Sequence, residues 1–181
     1  MRGALKNVKK LIVYTSVTGF TKQYVQWIAE ATGADVIAMG ELSKVDVSSY
    51  PVIVYGGGIK AGNIRGLKKF KRSVDLTHRK KVIVFATGGA PNTDEIMKKI
   101  IKQNFTHEEA ATFDFFYFQS GLNYERMKKI DRCLMAIYRK VLGLKKGKNA
   151  TEKGTSQALM HSYDYSDKDH ILPLVTMINE A

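Results

Sequence analysis

The chain has 181 residues, of which 44% are hydrophobic and 25% are charged, with three prolines and one cysteine. These values fit one globular domain and argue against a disordered, collagen-like or disulfide-stapled protein. No apolar run approaches the roughly 18 residues of a membrane-spanning helix, and the apolar run that starts at Leu11 is too short for a secretion signal. We therefore expect a cytoplasmic protein in which residues 1–181 form a single domain.

The charge of the chain is unusual, because 29 Lys and Arg residues against 17 Asp and Glu residues give a formal net charge of +12. Two segments concentrate this charge, residues 60–81 and 126–148, each with nine basic residues and one acidic residue. Such segments attract nucleic acid, an anionic lipid surface or an acidic protein, although a solvated helix face gives the same pattern. Charge alone leaves the class of partner open.

Buried strands alternate with amphipathic helices along the first two thirds of the chain. Continuous apolar runs predict strands at 9–14, 35–39, 51–55, 82–87 and 112–119, the last of them rich in aromatic residues. Apolar residues three or four positions apart predict a helix around Ile28 and further helices over 63–74 and 93–104. This alternation predicts an α/β fold, with an open parallel sheet and helices on both of its faces.

The pattern changes after the fifth predicted strand. A helix is predicted over 126–142, and its apolar seam consists of Met127, Ile130, Leu134, Ile137 and Val141. A polar, glycine-containing segment (143–167) follows, and a last helix over 168–180 carries Pro173 in its first turns. We interpret residues 125–166 as a basic helical insertion that packs its seam on the domain, with Cys133 in or near the packed face.

The loop after the first strand has the composition of an anion site. Four hydroxyl residues and a glycine lead into a helix in the run Thr15-Ser16-Val17-Thr18-Gly19-Phe20-Thr21. Backbone N–H groups at the start of a helix carry partial positive charge, and hydroxyls add further donors. An ordinary N-cap needs only one hydroxyl. The run therefore predicts a site that holds a phosphate dianion without Lys or Arg.

Two further loops at the same edge of the predicted sheet are poor in side chains. They are Gly56-Gly57-Gly58-Ile59-Lys60-Ala61-Gly62-Asn63 after the third strand and Thr87-Gly88-Gly89-Ala90-Pro91-Asn92 after the fourth. Glycines let the backbone approach a flat ligand and present N–H or C=O groups to its edge, although tight turns use the same residues. Because both loops flank one switch point of the sheet, we expect a pocket between them.

Other chemistries of this fold lack their motifs. No Gly-x4-Gly-Lys-Ser/Thr run of a P-loop occurs, and the dinucleotide motif Gly-x-Gly-x-x-Gly is only half matched, after the third strand instead of the first. A receiver domain needs aspartates where this chain has Thr15 and Gly56. The four histidines show no ligand spacing, so we predict no metal site.

The run Ser16-Val17-Thr18-Gly19-Phe20-Thr21 resembles the phosphate motif Ser/Thr-x-Thr-Gly-x-Thr of flavodoxins. The strand pattern is also similar to their five-stranded sheet of order 2-1-3-4-5. This resemblance implies FMN as the cofactor, with the 5′-phosphate on the first loop and the isoalloxazine between residues 57–60 and 87–92. The candidate cofactor-binding residues are Thr15, Ser16, Val17, Thr18, Gly19, Phe20, Thr21, Gly57, Gly58, Ile59, Lys60, Thr87, Gly88, Gly89, Ala90 and Asn92.

Three further features of the sequence support a narrower resemblance. The first is the run Gly58-Ile59-Lys60-Ala61-Gly62, and the second is the absence of an acidic surface. The third is the run Ser120-Gly121-Leu122-Asn123-Tyr124, which precedes a basic helix with Asp131-Arg132. These features look like the flavodoxin-type, quinone-dependent protoporphyrinogen oxidases. The resemblance implies an FMN-dependent oxidoreductase that passes electrons to a quinone and acts on a large planar anion, whose propionates could meet Arg126 or Arg132. The alternative is a flavodoxin-like electron-transfer protein without a substrate of its own, which docks acidic partners through its basic segments.

The basic residues suggest two further roles. Lys60 is the candidate for tuning the flavin potential, because a cation near the N1–C2=O edge stabilises negative charge there and makes the second reduction potential less negative. The basic rim of helix 126–142 is expected to attract an anionic membrane surface, which predicts a peripheral location at the inner face of the membrane. Nucleic acid is not expected, because the aromatic run 115–118 fits a buried strand better than a stacking platform.

Overall fold

The computed structural model describes residues 8–75, 81–144 and 161–181. Its strands are β1 (Lys10–Thr15), β2 (Asp35–Ala38), β3 (Val52–Lys60), β4 (Asn63–Ile64), β5 (Lys81–Gly88), β6 (Asp114–Gln119), β7 (Gly121–Leu122) and β8 (Tyr163–Asp164). Its α-helices are α1 (Phe20–Thr32), α2 (Leu67–Ser73), α3 (Asp94–Asn104), α4 (His107–Thr112), α5 (Lys129–Leu144) and α6 (Leu172–Asn179). Short 3-10 helices cover Met39–Lys44, Val47–Ser49 and Lys168–Ile171.

The main sheet is parallel along the path β2-β1-β3-β5-β6, so the predicted α/β class is confirmed. The parallel strands follow the predicted order, and the difference lies in an additional strand, β4, which pairs antiparallel with β3. A second, two-stranded sheet joins β7 to β8 and so brings the end of the insertion back to its beginning. The helix α4 precedes β6 in a stretch where the sequence predicted no helix.

Both faces of the sheet are covered by helices. On one face Val13, Ile53 and Val84 pack with residues of α2 and α3, among them Phe70 and Ile100. On the other face the neighbouring strand residues Ile12, Val54 and Ile83 pack with α1 and α6 through Tyr24, Ile28, Leu174 and Ile178. Successive strand residues point to opposite faces, so a strand buried on both sides is apolar throughout. This explains the continuous apolar runs in the sequence.

The third strand extends further than the sequence predicted. The expected strand ended at residue 55, with a glycine loop over 56–63, but β3 continues to Lys60 and turns back into β4. The turn residues Ala61 and Gly62 have φ of 47° and 79°, as the type I′ turn of a two-residue hairpin requires. A Cβ at Gly56 would collide with the ring of Phe85 on the next strand. Gly56 therefore serves the packing of the sheet.

Helix α5 departs most from expectation. It begins at Lys129 instead of 126, and its apolar seam is not packed on the domain. Ile130, Leu134, Ile137 and Val141 are 72%, 48%, 55% and 60% exposed, and Cys133 is exposed as well. The predictions of a docked seam and of a cysteine near a packed face are wrong, because α5 meets the domain through another side, where Asp131 is buried. Residues 145–160 of the predicted polar segment lie outside the described residues.

The end of the chain returns to the face of the sheet that α1 covers. The predicted helix over 168–180 consists of a 3-10 turn followed by α6, with Pro173 at the start of α6, where a missing N–H costs no hydrogen bond. Leu174 and Ile178 of α6 are fully buried. Among the residues that the structure describes, no helix is both long and apolar enough to cross a membrane.

Candidate functional site

The loop between β1 and α1 presents a group of unpaired backbone donors. Gly19, with φ of 102°, is the N-cap of α1, and no side chain caps the helix. The first helical bond runs from the N–H of Gln23 to the carbonyl of Gly19 (3.0 Å). Within the described ranges, the backbone N–H groups of residues 17–21 have no hydrogen-bond acceptor. Donors at the positive end of a helix fit a phosphate dianion, as the sequence predicts.

Thr15 uses its hydroxyl proton inside the protein. The hydroxyl of Tyr55 donates to the carbonyl of Arg65 (2.7 Å), and it also lies 2.9 Å from the Oγ1 of Thr15. Burial raises the pKa of Tyr55 to about 12, so this hydroxyl keeps its single proton. Thr15 must therefore be the donor in the second contact. Its hydroxyl has no further proton to offer an anion.

Thr21 is also turned inward, because its side chain is only 3% exposed and its Oγ1 lies 2.8 Å from the Oγ1 of Thr87. A Cβ built on Gly58 would lie 3.5 Å and 3.8 Å from these two oxygens. The pair therefore connects the start of α1 to the ends of β3 and β5. Among the predicted phosphate ligands, Thr18 is half-buried at the loop, and its hydroxyl has no hydrogen-bond partner in the described part of the chain.

The loop after β5 is supported through its carbonyl groups. The carbonyls of Gly88, Gly89 and Ala90 accept from the N–H of Ser120 (2.8 Å) and the hydroxyls of Tyr163 (3.3 Å) and Tyr117 (2.8 Å). The N–H groups of Gly89 and Ala90 bond to none of the described residues. The pyrimidine edge of an isoalloxazine is rich in acceptors, so free N–H groups fit it.

Two neighbours fix the shape of this loop. The side-chain amide of Asn92 donates to the carbonyl of Tyr117 (3.1 Å), which holds the end of the loop against β6. Burial raises the pKa of Tyr117, whose ring lies close to Gly88. A side chain at Gly89 would meet the hydroxyl of Tyr163. Asn92 therefore supports the loop through its side chain, and the sequence assigned it to the cofactor directly.

The hairpin after β3 places the other predicted residues. A Cβ at Gly57 would lie 2.7 Å from the carbonyl of Arg65, and the N–H of Arg65 donates to the carbonyl of Gly58 (3.0 Å). Ile59 packs against the core. Lys60 points instead toward the insertion, where its Nζ lies 2.5 Å from the Oδ1 of Asp131. The ion pair offsets the charge of the residue that the sequence proposed for tuning a flavin.

Asp131 is the centre of this contact. Its Oδ2 accepts from the Nη2 of Arg65 at 2.6 Å, and its side chain is 8% exposed. Hydrogen bonds from Lys60 and Arg65 hold the pKa of Asp131 below its ordinary value of 3.8, against the opposing effect of burial. The carboxylate attaches α5 to the hairpin. The sequence placed Asp131 in the insertion but gave no sign that it faces Lys60, because tertiary folding brings the two together.

Two basic residues flank the phosphate loop, where the sequence predicted none. Clefts of about 380 Å³ and 470 Å³ lie on either side of Gly19, and both are lined by Lys22 and Arg126. A Cβ at Gly19 would lie 3.0 Å from the Nη1 of Arg126. Sequence reasoning assigned Arg126 to a substrate carboxylate. The strand β7, which ends four residues before Arg126, brings this residue to the loop. No local motif in the sequence reveals that position.

Comparison with known proteins agrees with this geometry. The family described as flavodoxin domain matches residues 11–150. The chain belongs to this family. FMN, which the flavodoxin motif implies, is thereby supported as the cofactor, and the loops after β1 and β5 provide donors that fit it. The resemblance to flavodoxins is confirmed, and nothing in the comparisons shows the narrower resemblance to protoporphyrinogen oxidases.

Solved structures similar to the chain include a putative flavoprotein of Bacteroides uniformis, with 17% identity, a TM-score of 0.47, and coverage of 72% of this chain and 99% of that one. The Trp repressor binding protein of Bacillus subtilis has 15% identity, a TM-score of 0.46, and coverages of 77% and 100%. A flavoprotein of Lactobacillus acidophilus in complex with FMN has 16% identity and a TM-score of 0.40, and the match covers 62% of this chain and 92% of that one. No curated protein matches the chain.

Proposed function

We propose that the protein is an FMN-dependent oxidoreductase of the protoporphyrinogen oxidase type, with a quinone as electron acceptor. The observation that carries this proposal is the position of the insertion at the cofactor end of the sheet. Arg126 lies at the phosphate loop and Asp131 is bonded to the hairpin that precedes α2. An electron carrier needs only an accessible flavin edge, whereas an enzyme also needs a pocket beside the flavin, with a protein wall that holds the substrate. The insertion is the part of the chain that can provide this wall.

The charge of that wall suits an anionic substrate. Three basic residues are exposed just before α5 and in its first turn: Lys128, Lys129 and Arg132. The nearby carboxylate of Asp131 is already paired with Lys60 and Arg65. Guanidinium groups bind carboxylates in a bidentate manner, so a porphyrinogen with two propionates is a fitting substrate. FMN supplies the acceptance of two electrons from such a substrate and their transfer to a quinone. The protein residues bind the cofactor phosphate, support the glycine loops and position the substrate.

Turnover of protoporphyrinogen tests this function. The purified protein reconstituted with FMN is incubated anaerobically with protoporphyrinogen and a soluble quinone, and porphyrin fluorescence is recorded. We expect porphyrin to form only with quinone present, and to slow when Arg132 is replaced by Glu. A protein that binds FMN and exchanges electrons with a reductase, but forms no porphyrin above the FMN blank, would instead be the electron carrier of the alternative hypothesis.

We further propose that α5 rests on an anionic membrane surface, where a quinone is available. Its exposed apolar residues include Ile130, Leu134, Ile137 and Val141. Its basic residues Lys129, Arg132, Arg139 and Lys140 lie on the remaining part of the helix surface, at 100° per residue. An exposed apolar face with basic flanks suits an interfacial helix, and each basic residue near anionic lipid contributes about 1 kcal/mol.

Vesicle sedimentation tests this attachment. We expect the protein to pellet with vesicles that contain anionic phosphatidylglycerol and to remain in solution with neutral phosphatidylcholine. Ile137→Glu should abolish pelleting, because it places a carboxylate in the apolar face. Leu172→Glu is the matched control, since Leu172 is 58% exposed at the start of another helix, whereas Ile137 is 55% exposed. Equal pelleting with both lipids, or equal losses in both variants, would contradict the proposal.

A further inference from the structure

Arg126 lies where the sequence predicted an uncharged phosphate site. Its guanidinium is next to Gly19, and the residue lines both clefts that flank the loop. In the described part of the chain, no carboxylate or carbonyl accepts a hydrogen bond from its side chain. Among the described residues, the guanidinium has no protein partner and the backbone donors beside it have no acceptors, so the surface is positive. Asp164 is the one carboxylate among the described residues that line the two clefts.

The backbone around Arg126 is held in place. Its N–H donates to the Oδ1 of Asn123 at 3.0 Å, and the N–H of Tyr124 donates to the Oγ of Ser162 at 3.1 Å. The pairing of β7 with β8 precedes this turn, and the bonds of Asp131 to the hairpin follow it. The arginine is therefore fixed on both sides, so its approach to the loop follows from the docking of the insertion.

We propose that Arg126 binds the 5′-phosphate of FMN from the insertion, opposite the N-terminus of α1. This inference rests on the FMN-dependent function proposed above. A phosphate monoester carries up to two negative charges, and the partial charge at a helix N-terminus offsets only part of them. A guanidinium supplies a full positive charge and two parallel donors. Arg126 thus discriminates FMN from riboflavin, which has the same ring system and no phosphate.

The proposal links the cofactor to the insertion. A bound phosphate would hold Arg126 at the loop, so that cofactor binding and docking of the segment 123–131 stabilise each other. Lys22 lines the same clefts, and like Arg126 it is exposed. Its ammonium group is a point charge without the two parallel donors of a guanidinium. Its flexible side chain makes it the weaker candidate for a fixed phosphate contact.

The test compares two flavins and three proteins. Dissociation constants of the apoprotein for FMN and for riboflavin are measured by flavin fluorescence in the wild type, Arg126→Ala and Arg72→Ala. Arg72 is the control because it is an exposed arginine on α2, outside the residues proposed to bind cofactor or substrate. We expect Arg126→Ala to weaken FMN at least tenfold, to leave riboflavin within twofold, and to reduce the salt dependence of FMN binding. Arg126→Lys should recover part of the affinity.

Two results would contradict the role of Arg126. An FMN affinity of Arg126→Ala equal to that of Arg72→Ala would overturn the proposal. Equal losses for FMN and riboflavin would also overturn it, since they would show that Arg126 supports the fold or the ring site. Thermal unfolding of each apoprotein separates these two causes. Failure of the oxidase function would appear as normal flavin binding in the wild type without porphyrin formation, so the two proposals fail in different ways.

Discussion

Helices α1 and α5 have the same amphipathic pattern and opposite surroundings. The stripe of α1 comprises Tyr24, Val25 and Ile28, all fully buried against the sheet and α6. The stripe of α5 comprises Ile130, Leu134 and Ile137, between 48% and 72% exposed. The two helices have 13 and 16 residues, so length does not explain the difference. Periodicity identifies an apolar face but does not say what covers it.

Connectivity explains what periodicity does not. Helix α1 connects β1 to the parallel strand β2, and such a crossover must lie against the sheet. Helix α5 follows β7, after the last parallel strand of the main sheet. No crossover forces it onto the core, and the buried carboxylate of Asp131 attaches it to the hairpin. A helix outside the crossover pattern can therefore present its apolar face to another surface.

The largest expected effect tests the contrast in burial. Ile28→Ala removes a fully buried side chain and should lower the free energy of unfolding by about 3 kcal/mol. Ile137→Ala makes the same chemical change at a position 55% exposed, and should change this free energy by about 0.5 kcal/mol or less. Urea denaturation of both apoproteins measures the difference. Similar losses would show that the stripe of α5 is covered in the folded protein.

A second prediction concerns the start of α1, where the described hydroxyls differ in their bonding. Thr18→Ala removes a hydroxyl that is available to the phosphate, and should weaken FMN by roughly tenfold, or about 1.4 kcal/mol, without affecting riboflavin. Thr15→Val should leave the FMN affinity within about twofold, because its hydroxyl proton is already used by Tyr55. Flavin fluorescence titration measures both variants. A larger loss in Thr15→Val would contradict this bonding scheme.

The smallest effect concerns the attachment of α5 and its dependence on pH. The pKa of Asp131 is lowered in the folded protein, so its stabilisation is complete above the ordinary value of 3.8 and is lost as the pH falls through the lower folded value. Asp131→Asn should weaken the docking of α5 at pH 7 by about 1 kcal/mol, since Lys60 is partly exposed.

Hydrogen exchange of the α5 amides, corrected for the intrinsic effect of pH, measures this docking. The difference between wild type and Asp131→Asn should disappear at acidic pH, where both side chains are uncharged. Glu95→Gln is the control, because the pair of Glu95 with Lys99 lies on the surface of α3 and does not touch α5. A difference that persists unchanged at acidic pH would show that Asp131 acts through shape and not through charge.

Much of the site could be predicted from local sequence. The strand, the loop and the helix around residues 16–21 are contiguous, and the sequence located these elements correctly. The binding of a phosphate by this loop stays a prediction. The individual roles could not be predicted, because the hydroxyls of Thr15 and Thr21 are used by Tyr55 and Thr87, which lie on other strands. The sequence predicts a ligand-binding loop that begins at Gly56, yet glycines 56–58 belong to β3 and the ring of Phe85 leaves no room for a side chain at Gly56. Such assignments depend on neighbours that only the folded chain provides.

The sequence by itself determined the class of the sheet and most of its helices, because hydrophobic periodicity and the order of strands and helices are properties of the linear chain. The motif at residues 16–21, which is equally local, indicated the family. The tertiary structure decided which charges meet. It placed Arg126 over Gly19 and Asp131 between Lys60 and Arg65, across separations of many residues. The net charge of +12 favours an anionic partner. How strongly each charged side chain interacts with its neighbours depends on the distance between them, and only the fold sets these distances.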